Sequence, residues 1–108
     1  MPTIKRKAFT RSHPHKIHGF DVGFVTGDIY ANPGGFVIRD TKVRRVLKAI
    51  GGGITSGHSY QVSACSESAN TFTIRIYAEP GHTEIANGVD LSGVMGSDES
   101  LDFVAIVD

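Results

Sequence analysis

Two stretches in which apolar residues recur at every second position constrain this chain most. Phe72-Thr73-Ile74-Arg75-Ile76-Tyr77-Ala78 puts Phe72, Ile74 and Ile76 on one side and Thr73, Arg75 and Tyr77 on the other. Leu101 to Val107 likewise places Leu101, Phe103, Ala105 and Val107 on one side. A period of two is the signature of an extended strand with one buried face, because successive side chains point to opposite faces of a sheet. Tyr60-Gln61-Val62-Ser63-Ala64 precedes the first run across the short polar connection Glu67-Ser68-Ala69-Asn70, which predicts a β-hairpin.

The rest of the chain extends the same pattern. Phe20, Val22 and Phe24 alternate, Asn32-Pro33-Gly34-Gly35 predicts a β-turn, and Phe36-Val37-Ile38 is a short apolar strand. Val43, Val46, Leu47 and Ile50 are spaced for a short helix, with Asp40 or Thr41 placed to cap it and Gly51 to stop it. β-Branching at three of those four residues, and the β pattern on both sides, favour a strand over Val43 to Ile50. Gly51-Gly52-Gly53 with Ser56-Gly57 reads as a flexible loop, and residues 82–100 as a long acidic, Gly-rich connection. Core candidates are Phe20, Phe24, Phe36, Ile74, Ile76, Phe103 and Ile106.

With 108 residues the chain makes one domain, large enough to bury somewhat over ~60% of its unfolded surface. The expected class is all-β: a small single-domain β-sandwich or barrel-like fold over 15–108, entered through an extended basic arm over 1–14. Pro2 and Pro14 limit regular pairing in that arm, and a short strand follows from about His15 to Phe20. The single cysteine, Cys65, lies in a polar run and reads as a small half-buried residue rather than a reactive thiol. No apolar run is long enough to span a membrane, and the basic N-terminus lacks the apolar segment of a signal peptide, so a cytosol-like compartment or a larger particle is expected.

A net charge of zero conceals a strong asymmetry. Residues 1–75 carry all eleven Lys and Arg against four acids, and residues 76–108 carry seven acids and no base. Such segregation favours charge-complementary association and steers docking. The basic residues Lys5, Arg6, Lys7, Arg11, Arg44 and Arg45 could contact nucleic acid non-specifically, but that explains one half of the sequence, whereas contact with protein explains both. No specific nucleic-acid recognition is expected.

No constellation names a reaction, and the chain is not expected to be an enzyme. His13, His15 and His18 suit a transition metal, but Pro14 interrupts the strand and no Cys or carboxylate completes a zinc set, so neither metal nor cofactor is expected. His82-Thr83-Glu84 resembles a base with a carboxylate neighbour, yet Ser56, Ser59, Ser92 and Cys65 lie in no nucleophile context. Lys48 before Gly51-Gly52-Gly53 lacks the order of a phosphate loop.

From Gly35 onward the order of pieces resembles the small capsid decoration, or cement, proteins of tailed bacteriophages. These pieces are the apolar anchor, the basic strand Val43 to Ile50, the Gly-rich loop, the hairpin Tyr60 to Ala78, Glu84 to Gly93 and the final Phe103-Val104-Ala105-Ile106. The most telling are Ile74-Arg75-Ile76-Tyr77, Val89-Asp90-Leu91-Ser92-Gly93 and the C-terminal strand. The resemblance implies a structural virion protein on the outer surface of the capsid, a homo-oligomer, often a trimer, that binds the major capsid protein lattice and stabilises the head. The candidate partner-binding residues are those of the arm: Ile4, Lys5, Arg6, Lys7, Phe9 and Arg11. Two alternatives stay open. One is a tail-tube, head-completion or fibre-associated phage protein. The other is a small metal- or carbohydrate-binding β module using His13, His15, His18 or the side chains of Tyr30, Tyr60 and Tyr77.

Overall fold

The structure, a computed structural model, describes residues 2–6, 10–11, 16–55, 57–65, 68–95 and 101–108. The described residues form nine strands: β1 (Thr3–Arg6), β2 (Thr10–Arg11), β3 (Lys16–Gly23), β4 (Phe36–Arg39), β5 (Val46–Thr55), β6 (His58–Cys65), β7 (Thr71–Ala78), β8 (Thr83–Glu84) and β9 (Leu101–Val107). A single-turn helix, α1 (Ser92–Met95), lies between β8 and β9. All pairings are antiparallel, and the strands join one curled sheet in the order β1-β3-β9-β5-β6-β7-β4, with β2 on β3 and β8 on β7. The expected all-β, barrel-like class is the observed one: the sheet curls into a half-barrel.

The alternating runs account for the inner face. Phe72, Ile74 and Ile76 of β7 and Leu101, Phe103, Ala105 and Val107 of β9 are all buried, joined by Phe20 and Val22 of β3, Ile38 of β4 and Tyr60 of β6. Phe103 is the centre of an aromatic cluster, with ring centroids 5.8 Å from Phe20, 5.2 Å from Phe72 and 5.5 Å from Tyr60. Stacked, tilted and edge-on rings at such distances add attraction beyond the area they bury. Phe24, Tyr30, Ile85 and Leu91, from the connections, and Met95 of α1 are buried in the same core. Ile106 does not belong to this core. Strand alternation turns it to the outer face, half-buried, opposite Ile17 and Lys48. Phe36 is half-buried and packs on the core edge.

β5 is a strand, as favoured, but its bounds differ from the expected Val43 to Ile50. The chain turns first: the Val43 N–H points to the Asp40 carbonyl, and the Lys42 N–H donates to Asp40 Oδ1 at 3.1 Å. Asp40 thus caps a turn rather than a helix. A bulge between Val46 and Lys48 then shifts the alternation, so that Val46 and Ala49 both face inward. That three-residue spacing is what made a helix competitive in the sequence.

The Gly51-Gly52-Gly53 loop reading is corrected, because all three glycines lie within β5. Val46–Gly51 pairs with β9 and Gly52–Thr55 with β6, so the glycines sit where one strand changes partners and the sheet bends. A side chain at Gly51 would run into the Phe103 ring and approach the Asp102 carbonyl oxygen to 2.8 Å. Glycine is required there by close approach, not by a turn.

Candidate partner-binding surface

The arm residues fall at one end of the sheet. β1 is the terminal strand in the sheet order, and it pairs with β3 from Thr3 opposite Gly23 to Arg6 opposite Phe20. β2 continues along the same side, with Arg11 opposite Lys16. The described part of the arm is thus extended, and it lies on its own domain. Ile4 is half-buried against the core, Lys5 is exposed opposite Asp21, and Arg6 and Arg11 occupy edge positions. Lys7 and Phe9 lie outside the described residues, as do His13 and His15. His18 sits on β3 opposite Ala105.

Folding returns two carboxylates of the acidic half, Glu84 and Asp108, to bases of the basic half. Arg75 Nη1 lies 3.1 Å from Glu84 Oε1. Arg44 Nη2 is 3.2 Å from Asp108 Oδ2, and Arg45 pairs with the same carboxylate. These guanidiniums, Arg45 foremost, hold the Asp108 carboxyl below the usual carboxylate range. The linear segregation is therefore partly undone on folding, at Glu84 and Asp108. Arg44 and Arg45, offered as nucleic-acid contacts, are engaged within the chain.

The histidine reading near the hairpin also resolves. Ser59 Oγ donates to Glu79 Oε2 at 2.5 Å, and His82 Nδ1 lies 2.7 Å from the same oxygen, its ring stacked on Tyr77 at 4.1 Å. The Ser59 hydroxyl and then the His82 ring lower the Glu79 pKa. A carboxylate between hydroxyl and imidazole is the wrong order for nucleophile activation, which needs the imidazole on the hydroxyl. Ser92 is likewise structural. Its N–H and hydroxyl both donate to Asp90 Oδ1, while Asp90 Oδ2 accepts the Gly27 N–H at 3.0 Å. That amide and Ser92 keep Asp90 below its ordinary pKa. With Leu91 fully buried, the run Val89-Asp90-Leu91-Ser92-Gly93 is a lid over the core. Cys65 is half-buried and its thiol reaches the Val46 carbonyl at 3.1 Å.

Two of the three tyrosines proposed for carbohydrate contact point inward, since Tyr30 and Tyr60 are buried. The Tyr30 hydroxyl donates to Glu84 Oε2 at 2.7 Å and accepts the Ile76 N–H at 3.1 Å. Burial, reinforced by the Glu84 carboxylate, pushes its pKa upward. Tyr30→Phe should destabilise the fold by about 1–3 kcal/mol, because it leaves the Ile76 amide without its hydroxyl acceptor and the Glu84 oxygen with the Arg75 guanidinium alone. A lower urea midpoint at unchanged slope is the expected reading.

Among the described residues no three His, Cys, Asp or Glu side chains are grouped to hold a metal ion. Among them, too, no helix is long and apolar enough to cross a membrane. Compared with known protein families, curated proteins and solved structures, the chain matches none. Among the described residues, two surface features point to a partner: the basic edge of β1 and β2, and an apolar patch on the outer face of β5 and β9.

Proposed function

We propose that this chain is a structural protein of a tailed-bacteriophage particle, a decoration protein on the outer surface of the capsid that bridges major capsid subunits. The observation that carries this reading is the basic terminal strand β1, in line with β2, at the end of the sheet. A terminal strand offers backbone donors and acceptors to a neighbouring chain, and charged side chains there restrict which chain it accepts. Lys5, Arg6, Lys7 and Arg11 would select an acidic edge or loop on the capsid lattice. Many weak copies acting together on a repeating lattice reach a strength that one contact does not.

Lys5, Arg6 and Lys7 changed together to Glu should lose capsid attachment, by about tenfold or more in affinity, while melting as the parent does. Co-sedimentation with capsids lacking the protein measures attachment, and circular dichroism measures the melt. Undiminished attachment of the variant, or failure of the parent to bind, would sink the proposal. Ring-shaped hexamers in solution would turn it towards a tail-tube or head-completion role.

A further inference from the structure

The outer face of β3, β9 and β5 carries apolar side chains with no cover. Ile50 is 61% exposed, Ile54 74% and Val104 47%. Registers place them in rows across the strands. One row holds Lys48, Ile106 and Ile17; the next holds Ile50, Val104 and Gly19; the third has Asp102 on β9 and Asp21 on β3, with Lys5 of β1 beyond. Along the strands this face therefore runs from a lysine, through an apolar middle, to carboxylates. A groove of about 430 Å³ opens in it, lined by Gly19, Gly51, Gly52, Ile50, Val104, Phe103 and Asp102. The glycines lower its floor, and the isoleucine and valine form its walls.

We infer that this face pairs with the same face of a second copy of the chain, about a two-fold axis that crosses the strands at the Ile50–Val104 row. Such an axis lays the two sheets face to face with strand directions reversed. The lysine row of each copy then covers the carboxylate row of the other: Lys48 lies over Gly52, one strand from Asp102, and its long side chain reaches that carboxylate, twice in the pair. A patch that complements itself under reversal produces a closed pair, because in a two-fold interface each residue contact occurs twice. The apolar centre supplies burial, and Gly52 of each copy leaves room for the aliphatic stem of the other copy's Lys48. A three-fold ring would need two different surfaces, and the charge order on this face supplies one surface that matches itself. The footprint is three strands wide, at the small end for specific association, so the pair is of micromolar strength or weaker. This inference stands apart from the capsid reading, since it uses a different surface from the β1 edge.

Sedimentation equilibrium of the full chain over a concentration series tests it. The parent should approach the mass of two copies at high concentration. Ile50→Glu, a change at an exposed site, should raise the dissociation constant about tenfold or more with the melting temperature of the dilute protein unchanged. Val37→Glu, on β4 and 55% exposed, should have no effect on mass. Lys48→Glu should weaken the pair, and Lys48→Glu combined with Asp102→Lys should restore it. A monomer at all concentrations up to about 1 mM overturns the inference. So does a trimer, a pair indifferent to Ile50→Glu, or a charge swap that fails to restore association.

Discussion

Phe103→Ala is expected to cost about 3–5 kcal/mol, a large share of the roughly 5–15 kcal/mol that holds a domain of this kind together. The ring is 2% exposed and touches Phe20, Tyr60 and Phe72, which come from three other strands of the sheet. Its removal leaves a cavity at the centre of the aromatic cluster, and strands on both sides of β9 lose a shared contact. Thermal unfolding should fall by about 15 °C or more, at roughly 4–8 °C for each kcal/mol in a domain near this size. The same ring explains Gly51. In the parent, Gly51→Ala forces a methyl into the Phe103 ring, whereas in the Phe103→Ala background that clash is gone. The second substitution should therefore cost clearly less in the double variant than alone, a coupling that a double-mutant cycle reads directly. Equal costs in both backgrounds would show that Gly51 is required by the Asp102 carbonyl and not by the ring.

The elements most legible in the sequence are those whose partners are irrelevant to their pattern. β7 and β9 alternate strictly because one face of each is buried along its whole length, and the hairpin of β6 and β7 needs only a short polar connection. β5 was hard to read for a physical reason. Its bulge breaks the two-residue period, and its three glycines look like a loop until Phe103 is seen lying against Gly51 and Tyr60 against Gly53. Proximity of that kind is a tertiary fact with no local trace. The pairing of charge is non-local in the same way. The linear division into basic and acidic halves takes no account of Glu84 returning to Arg75, or of Asp108 returning to Arg44 and Arg45. Of the candidate surface, the arm could be named from its bases alone, whereas its position at the end of the sheet depends on pairing with β3. The apolar outer face was legible only on β9, because Ile50 looks like a core residue until strand register assigns it outward. The strict alternation of β9 gave the available signal, since it already places Val104 and Ile106 opposite Phe103 and Ala105.

Gly35→Ala should be comparably damaging, at about 3 kcal/mol or more, from a site that bears no side chain at all. Gly35 has φ +86°, and a methyl there would overlap the Ile74 carbonyl oxygen while pressing Thr73 Cγ2 at 3.2 Å. The obstacle is backbone of the adjacent strand, so no rotamer change relieves it. Either the turn over Asn32 to Gly34 opens, with loss of the Gly35 N–H bond to the Ala31 carbonyl at 2.9 Å, or the start of β4 lifts from β7. Lifting β4 would draw Ile38 out of the core and bare the edge of β7. Gly34→Ala provides the comparison: its φ is +125°, but no other atom lies within 4 Å of the added methyl. It should carry only the conformational cost, about 1 kcal/mol, and the difference in urea midpoint between the two variants isolates the overlap. Because β4 and β1 lie at opposite ends of the sheet, Gly35→Ala should still attach to capsids at temperatures where it remains folded. Loss of attachment by the folded variant would move the capsid contact from the basic edge to the β4 end.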